Sequence, residues 1–137
     1  ASTSQRLRFY KHGVNHILNN PLIGVGFGTW KLKSIEYDKE FIISYIVPYH
    51  LHNDFLQYGA ELGIIGMILY ALIFLIILIT NIKRLKINLF LSSSLIMAIT
   101  ILFVDSNFNF PYHRPIMMIF MGFLIALTHY NKEHELE

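Results

Sequence analysis

Charged residues vanish from three long stretches of this chain. Residues 62–82 read LGIIGMILYALIFLIILITNI, residues 87–104 read INLFLSSSLIMAITILFV, and residues 115–131 read PIMMIFMGFLIALTHYN, each without Asp, Glu, Lys or Arg. A helix rises about 1.5 Å per residue and a bilayer's hydrocarbon core is about 30 Å thick, so roughly 17–25 residues cross it. The first run lacks the polar face that a buried helix of a soluble bundle would show. The pattern therefore predicts transmembrane helices at 62–82, 89–104 and 116–130, the last with the shortest apolar part. The link at 83–88 carries Lys83, Arg84 and Lys86, and the positive-inside rule places it in the cytoplasm, together with the tail at 131–137. Residues 1–61 and the connector 105–115 then face the opposite side. The six Lys and Arg of the N-terminal segment do not overturn this, because long segments cross largely regardless of charge.

The pattern ahead of the first run changes three times. TSQRLRFYKHGVNHILNN opens with Ser/Thr caps and stops before Pro21, which marks a helix. At 100° per residue Leu7, Tyr10, Val14, Ile17 and Leu18 share one face, Arg6 lies on its edge, and Arg8, His12 and His16 project elsewhere. NPLIGVGFGTW supplies turn residues. KLKSIEYDKEFIISYIVPY is a mixed connector whose FIISYIV suits a short strand or an interfacial helix. Asp54 with Gln57 three residues later has the form of a capping box opening the next helix, which would leave His52 and Asn53 at its N-terminus. The fold expected is an all-α integral membrane protein, with three transmembrane helices preceded by a mostly helical extracytoplasmic segment. The chain opens at ASTSQ without an initiator Met, so it is expected to be a piece of a longer protein.

Composition agrees with this picture and narrows the chemistry. Hydrophobic residues make up 54% and charged residues only 15% of the 137 positions, against about a quarter charged in soluble domains. A net charge of +2 is too weak to argue for nucleic acid, and the absence of cysteine excludes a disulfide framework and thiolate metal sites.

His52 is the sharpest chemical candidate. A neutral imidazole can take a proton from a hydroxyl, and a helix N-terminus beside it favours the neutral ring and attracts anions. An interfacial histidine bonded to a carbonyl explains the same residue. His50-x-His52 and the His12/His16 pair could in principle hold zinc, but neither has an acidic or Cys partner at a diagnostic spacing, and surface histidines account for all four. Arg6 and Arg8 could grip a phosphate in a bidentate fork, or snorkel to lipid headgroups. Gly24, Gly26 and Gly28 lack the flanking strand and Lys-Ser/Thr of a phosphate loop, and a turn requiring positive φ is the expectation. DSNFNFPYHRP (105–115), with Asp105, His113 and Arg114, is polar enough to border a site and equally suits a plain turn.

Taken in order, RLRFY, NNPLIGVGFGTW, HLHNDFLQYGAELGIIGM and DSNFNFPYHRP resemble the motif series of the bacterial O-antigen ligase and polysaccharide polymerase superfamily, over about residues 6–128. The resemblance implies a multi-pass glycosyltransferase of the bacterial inner membrane, with residues 1–61 on the periplasmic side. It implies transfer of a glycan from an undecaprenyl-diphosphate carrier to a lipid or glycan acceptor, without metal or cofactor; membrane lipids are the other partners. The family's proposed base maps onto His52 and its diphosphate-binding arginine onto Arg6, while Arg8, Asn53, Asp54 and Arg114 are further substrate-binding candidates. Tyr10 stands where Trp is common. Another family arginine lies ahead of the residues present here, so these residues make an incomplete site and are expected to be inactive alone. Ligase and polymerase differ in acceptor, which no residue here identifies. Two other classes compete: a non-catalytic membrane transporter or scaffold module, and a metal-dependent membrane hydrolase using the histidines.

Overall fold

The computed structural model describes residues 3–42 and 49–133. They form α1 (Thr3–Asn19), α2 (Trp30–Asp38), α3 (Asp54–Lys83), α4 (Leu89–Phe108), a 3-10 turn (Pro111–His113) and α5 (Pro115–Glu133), with no strand among the described residues. The undecided piece of FIISYIV at 43–47 lies outside them. Asp54–Lys83 and Leu89–Phe108 are long and apolar enough to cross a membrane, while the apolar part of α5, Pro115–Tyr130, is shorter.

The core is divided in two. Tyr70, Phe74 and Ile77 of α3 meet Leu95, Ile99 and Leu102 of α4 and Met121 and Leu124 of α5. The opposite faces of these helices show Ile65, Leu69, Ile76, Ile101 and Ile119 outward, as helices in contact with lipid tails would. The second cluster, Phe9, Ile17, Trp30, Leu51 and Ala60, joins α1 and α2 to the head of α3. At the basic end, Asn81 donates to the Thr128 hydroxyl at 3.0 Å and Arg84 to the Thr128 carbonyl at 3.1 Å, tying α3 to α5.

Three expectations need correction. The face α1 buries is Phe9, Gly13, His16 and Ile17, whereas Leu7, Val14 and Leu18 are exposed. Close approach decides this: a Cβ at Gly13 would stand 2.7 Å from Leu51, so the helix packs by its glycine and aromatic side. His16 is accordingly a buried residue, 3.2 Å from the Tyr37 hydroxyl, not a surface one. The cap of α3 is Asn53, whose side chain accepts from the Leu56 amide at 2.9 Å. Asp54 and Gln57 are instead drawn into buried side-chain bonds. Helix α2 was not expected: its Trp30, Ser34 and Asp38, four residues apart, are buried on one face, but too few apolar positions announce it.

Helix α3 is broken at Gly63, which has φ 75° and ψ −176°. A break frees backbone groups on both sides, and the 21–28 loop takes them up. Val25 and Gly26 amides donate to the Ala60 and Glu61 carbonyls at 3.0 and 2.9 Å, and the Ile64 amide donates to the Pro21 carbonyl at 2.8 Å. Positive φ at Gly26 and Gly28 bears out the expected turn. A Cβ at Gly24 would stand 2.3 Å from the Ala60 carbonyl oxygen, so that glycine is required by proximity instead. Gly63→Ala places a side chain in a conformation essentially reserved for glycine and 2.5 Å from the Leu22 carbonyl. It should lower stability by about 1–3 kcal/mol, measured by thermal unfolding in detergent. Gly122→Ala, with nothing within 4 Å, should leave the transition nearly unmoved.

Candidate active site

The head of α3 is held by three elements. His52 adopts φ 57°, a left-handed conformation uncommon for a residue with a side chain. Its carbonyl accepts from the Tyr10 hydroxyl at 2.9 Å, and that hydroxyl also lies 3.3 Å from the Asn107 carbonyl at the end of α4. Asn53 donates to the same Asn107 carbonyl at 3.0 Å while capping α3. Asp54 is fully buried and accepts from the Tyr70 hydroxyl and the Tyr112 amide, both at 3.1 Å, so it ties α3 to the 109–114 connector. The histidine is therefore fixed from α1, α3 and α4 together.

Its ring packs against Phe9 and edge-on to Phe110, with centroids 6.4 and 5.1 Å away. His52 Nδ1 is buried without a hydrogen-bond partner among the described residues. Burial above all holds this imidazole below its ordinary 6.5, which favours the neutral form, and nearby positive charge, the Arg6 guanidinium included, acts in the same direction. Arg6 acts on both His52 and Tyr10, which places its charge at the same corner. It makes no ion pair among the described residues, and its Nε is buried without a partner.

The other two candidate arginines, Arg8 and Arg114, are placed differently. Arg8 pairs with the buried Asp38, Nε to Oδ1 at 2.7 Å, and lies 4.1 Å from the Phe41 ring centroid. Its charge is thus answered internally. Arg114 is exposed and lies over Phe110 at 5.2 Å. The candidate zinc pairs take separate partners: His12 pairs with Asp38, His16 lies against Tyr37 and Trp30, and His50 stacks on Phe110 and lies tilted against His113.

Behind this corner runs a buried polar chain. The Leu51 amide donates to Gln57 at 2.9 Å and Gln57 donates to Glu61 at 2.7 Å. Glu61 also accepts from the Gly28 amide at 2.8 Å and the Tyr112 hydroxyl at 3.2 Å. One carboxylate thus joins the glycine turn, the broken helix and the connector.

Residues 1–71 match the family model described as O-antigen ligase, which is half of the chain. The chain belongs to the O-antigen ligase family. Among individual relatives, a protein of Rickettsia felis provisionally named a polysaccharide ligase is 36% identical over 75 residues, covering 50% of this chain and 18% of that protein. The exopolysaccharide production protein ExoQ of Rhizobium meliloti is 27% identical over 84 residues, covering 58% of this chain and 19% of that protein. The chain thus spans less than a fifth of the length of the curated relatives it matches. No solved structure matches it.

In this family member the sequence singled out His52 and Arg6, and the fold brings them to one corner. What sequence reasoning missed is the aromatic wall, Phe110 and Tyr112, and the Asp38 that neutralises Arg8. The polar connector hinted at the first; nothing in the spacing of α2 hinted at the second. The half-buried histidines carry a pH signature. Burial, helped by His113, pushes His50 down to about 4 from 6.5. As pH falls through that window the unfolded chain binds a proton before the folded one does, so stability falls with it. The thermal unfolding midpoint of the intact protein should therefore drop between pH 6.5 and about 4, and His50→Gln should flatten that drop.

Proposed function

We propose that this chain supplies the catalytic head of a membrane glycosyltransferase of the O-antigen ligase or polymerase type. The donor in this reading is a glycan on an undecaprenyl-diphosphate carrier and the acceptor is a lipid or glycan hydroxyl. The observation that carries it is a neutral His52 held beside Arg6, which makes no ion pair among the described residues, directly ahead of a long apolar helix. A lipid-linked donor cannot leave the bilayer, so its anomeric carbon waits near headgroup height, and the base must stand there too. His52 takes the proton of the acceptor hydroxyl as its oxygen attacks the anomeric carbon. The bond to the diphosphate breaks, the electron pair leaves with the carrier, and the anomeric centre inverts. Arg6 balances the charge gathering on the departing diphosphate, which is strongest where water is excluded. Asn53 and Asp54 hold the helix head in place, with Arg114 at the rim; Arg8, paired with Asp38, contributes less. The reaction in this reading needs no metal.

The reading also assigns sides and spans. Residues 1–61 and 105–115 stand on the periplasmic side of the bacterial inner membrane, 83–88 and 131–137 in the cytoplasm, and α5 crosses as a third span. The basic link Lys83, Arg84 and Lys86 supports this arrangement. With cysteine introduced singly into a protein otherwise free of it, Lys39→Cys should react with an impermeant maleimide in intact cells. Lys86→Cys should react only after permeabilisation. The reverse pattern would overturn the orientation.

In the intact protein, His52→Ala should lower glycan transfer by about 10²-fold or more while leaving membrane insertion unchanged. Ordinary transfer by that variant removes the mechanism. Because the base works in its neutral form, transfer falls as pH drops through the His52 pKa. The acidic limb of kcat/KM should therefore lie below 6.5, and a chelator should leave the rate unaltered. Loss of activity to the chelator would favour the metal-dependent hydrolase.

A further inference from the structure

A cleft beside this corner holds chemistry that the transfer reaction above leaves unused. It encloses about 710 Å³ between the glycine turn, α2 and the connector, and neither His52 nor Arg6 lines it. Its rim carries Phe27 and Tyr49, 62% and 55% exposed. Phe27 is set against Tyr58 and Tyr112 at 6.3 and 5.9 Å between centroids, so its ring is held by an aromatic base while remaining open. Deeper in stand His50 and His113, with ring centroids 4.0 Å apart. His50 Nδ1 and His113 Nε2 are both buried, and neither has a hydrogen-bond partner among the described residues. Gln57 and Glu61 border the cleft, but their own bonds run to the Leu51 and Gly28 amides and Tyr112.

Three ligand classes can be weighed against these groups. A phosphate or other strong anion needs cations; Lys31 is present, but it shares the cleft with the Glu61 carboxylate, and burial keeps His50 neutral. A purely apolar ligand would leave the two imidazole nitrogens buried with nothing to bond, at a cost. A neutral polyhydroxylated ring suits both parts. Its apolar C–H face can lie on exposed aromatic surface, and each neutral imidazole offers one donor and one acceptor to its hydroxyls.

We propose that the cleft is a subsite for a neutral pyranose ring, with Phe27 and Tyr49 providing the stacking surface and the His50–His113 pair bonding the hydroxyls. The choice of a sugar rests on the glycosyltransferase reading. The ring can belong to the acceptor glycan or to the glycan on the donor, and the same chemistry serves either.

The test uses the intact protein in detergent with methyl α-D-glucopyranoside and N-acetyl-D-glucosamine as probes, followed by saturation-transfer NMR. Saturation should reach the ring protons of at least one probe and fall about fivefold in Phe27→Ala and in Tyr49→Ala. Tyr49→Ala leaves the Tyr58–Tyr112 contact in place, so it reads the surface even where Phe27→Ala disturbs folding. Pyrophosphate should not displace the sugar. No saturation of either probe, saturation undiminished from the unaltered protein in both variants, or displacement by pyrophosphate would each overturn the subsite. In transfer assays the variants should raise KM for a single substrate by about fivefold, and the identity of that substrate tells acceptor ring from donor ring. Unchanged KM for both overturns the proposal. A protein that binds the sugar through Phe27 and Tyr49 yet transfers no glycan would sink the transferase reading and keep the cleft. Transfer together with sugar binding indifferent to both residues would do the reverse.

Discussion

A helix broken beside an apolar layer must hand its loose backbone groups to something, since each buried and unbonded one costs about 1–3 kcal/mol. In this chain the break at Gly63 is answered by residues 21–28, whose amides and carbonyl complete the bonds the helix has lost. That exchange sets everything above it. It brings Gly28 to the Glu61 carboxylate, which in turn holds Gln57 and Tyr112, and Gln57 holds the Leu51 amide between the two histidines of His50-Leu51-His52. The glycines of GVGFG and the Glu61-Leu62-Gly63 step are thus two halves of one joint, although 33 residues separate Gly28 from Glu61.

The joint sorts the polar groups around the head of α3 into two sides of one aromatic wall. Phe110 touches both histidine rings, at 4.7 Å from His50 and 5.1 Å from His52. Toward α1 lie His52 and Arg6, which has no carboxylate partner among the described residues; toward α2 and the glycine turn lie His50, His113 and the open aromatic rim. The proposed roles follow the same division. A guanidinium without an ion pair among the described residues suits a charged leaving group, whereas half-buried imidazoles held below their ordinary range suit hydroxyls. Arg8, two residues from Arg6, shows the contrast: one buried aspartate removes it from that work.

Much of the helical frame was legible because it follows from local chemistry. Uncharged runs long enough to cross a bilayer announced α3 and α4, and Pro21 announced the end of α1. The errors came where a neighbour decided. The buried face of α1 was misjudged because Gly13, which has no side chain to count, allows the closest approach. Asp54 read as a cap by spacing, but Asn53 occupies that geometry and Asp54 sinks to Tyr70 and the Tyr112 amide.

The sequence by itself determined the apolar helices, the basic link between them, the turn at the glycines and the motif order that places the chain in its family. These rest on hydropathy, charge and residue type, which act position by position. Only the tertiary structure decided which arginine is answered by a buried aspartate, which histidines line the cleft, and that helix α3 is broken and repaired by a distant loop. Those outcomes depend on partners far apart along the chain, such as Asp38 for Arg8, Phe110 for His50 and His52, and Pro21 for Ile64, and a pattern read along one strand of residues carries no term for them.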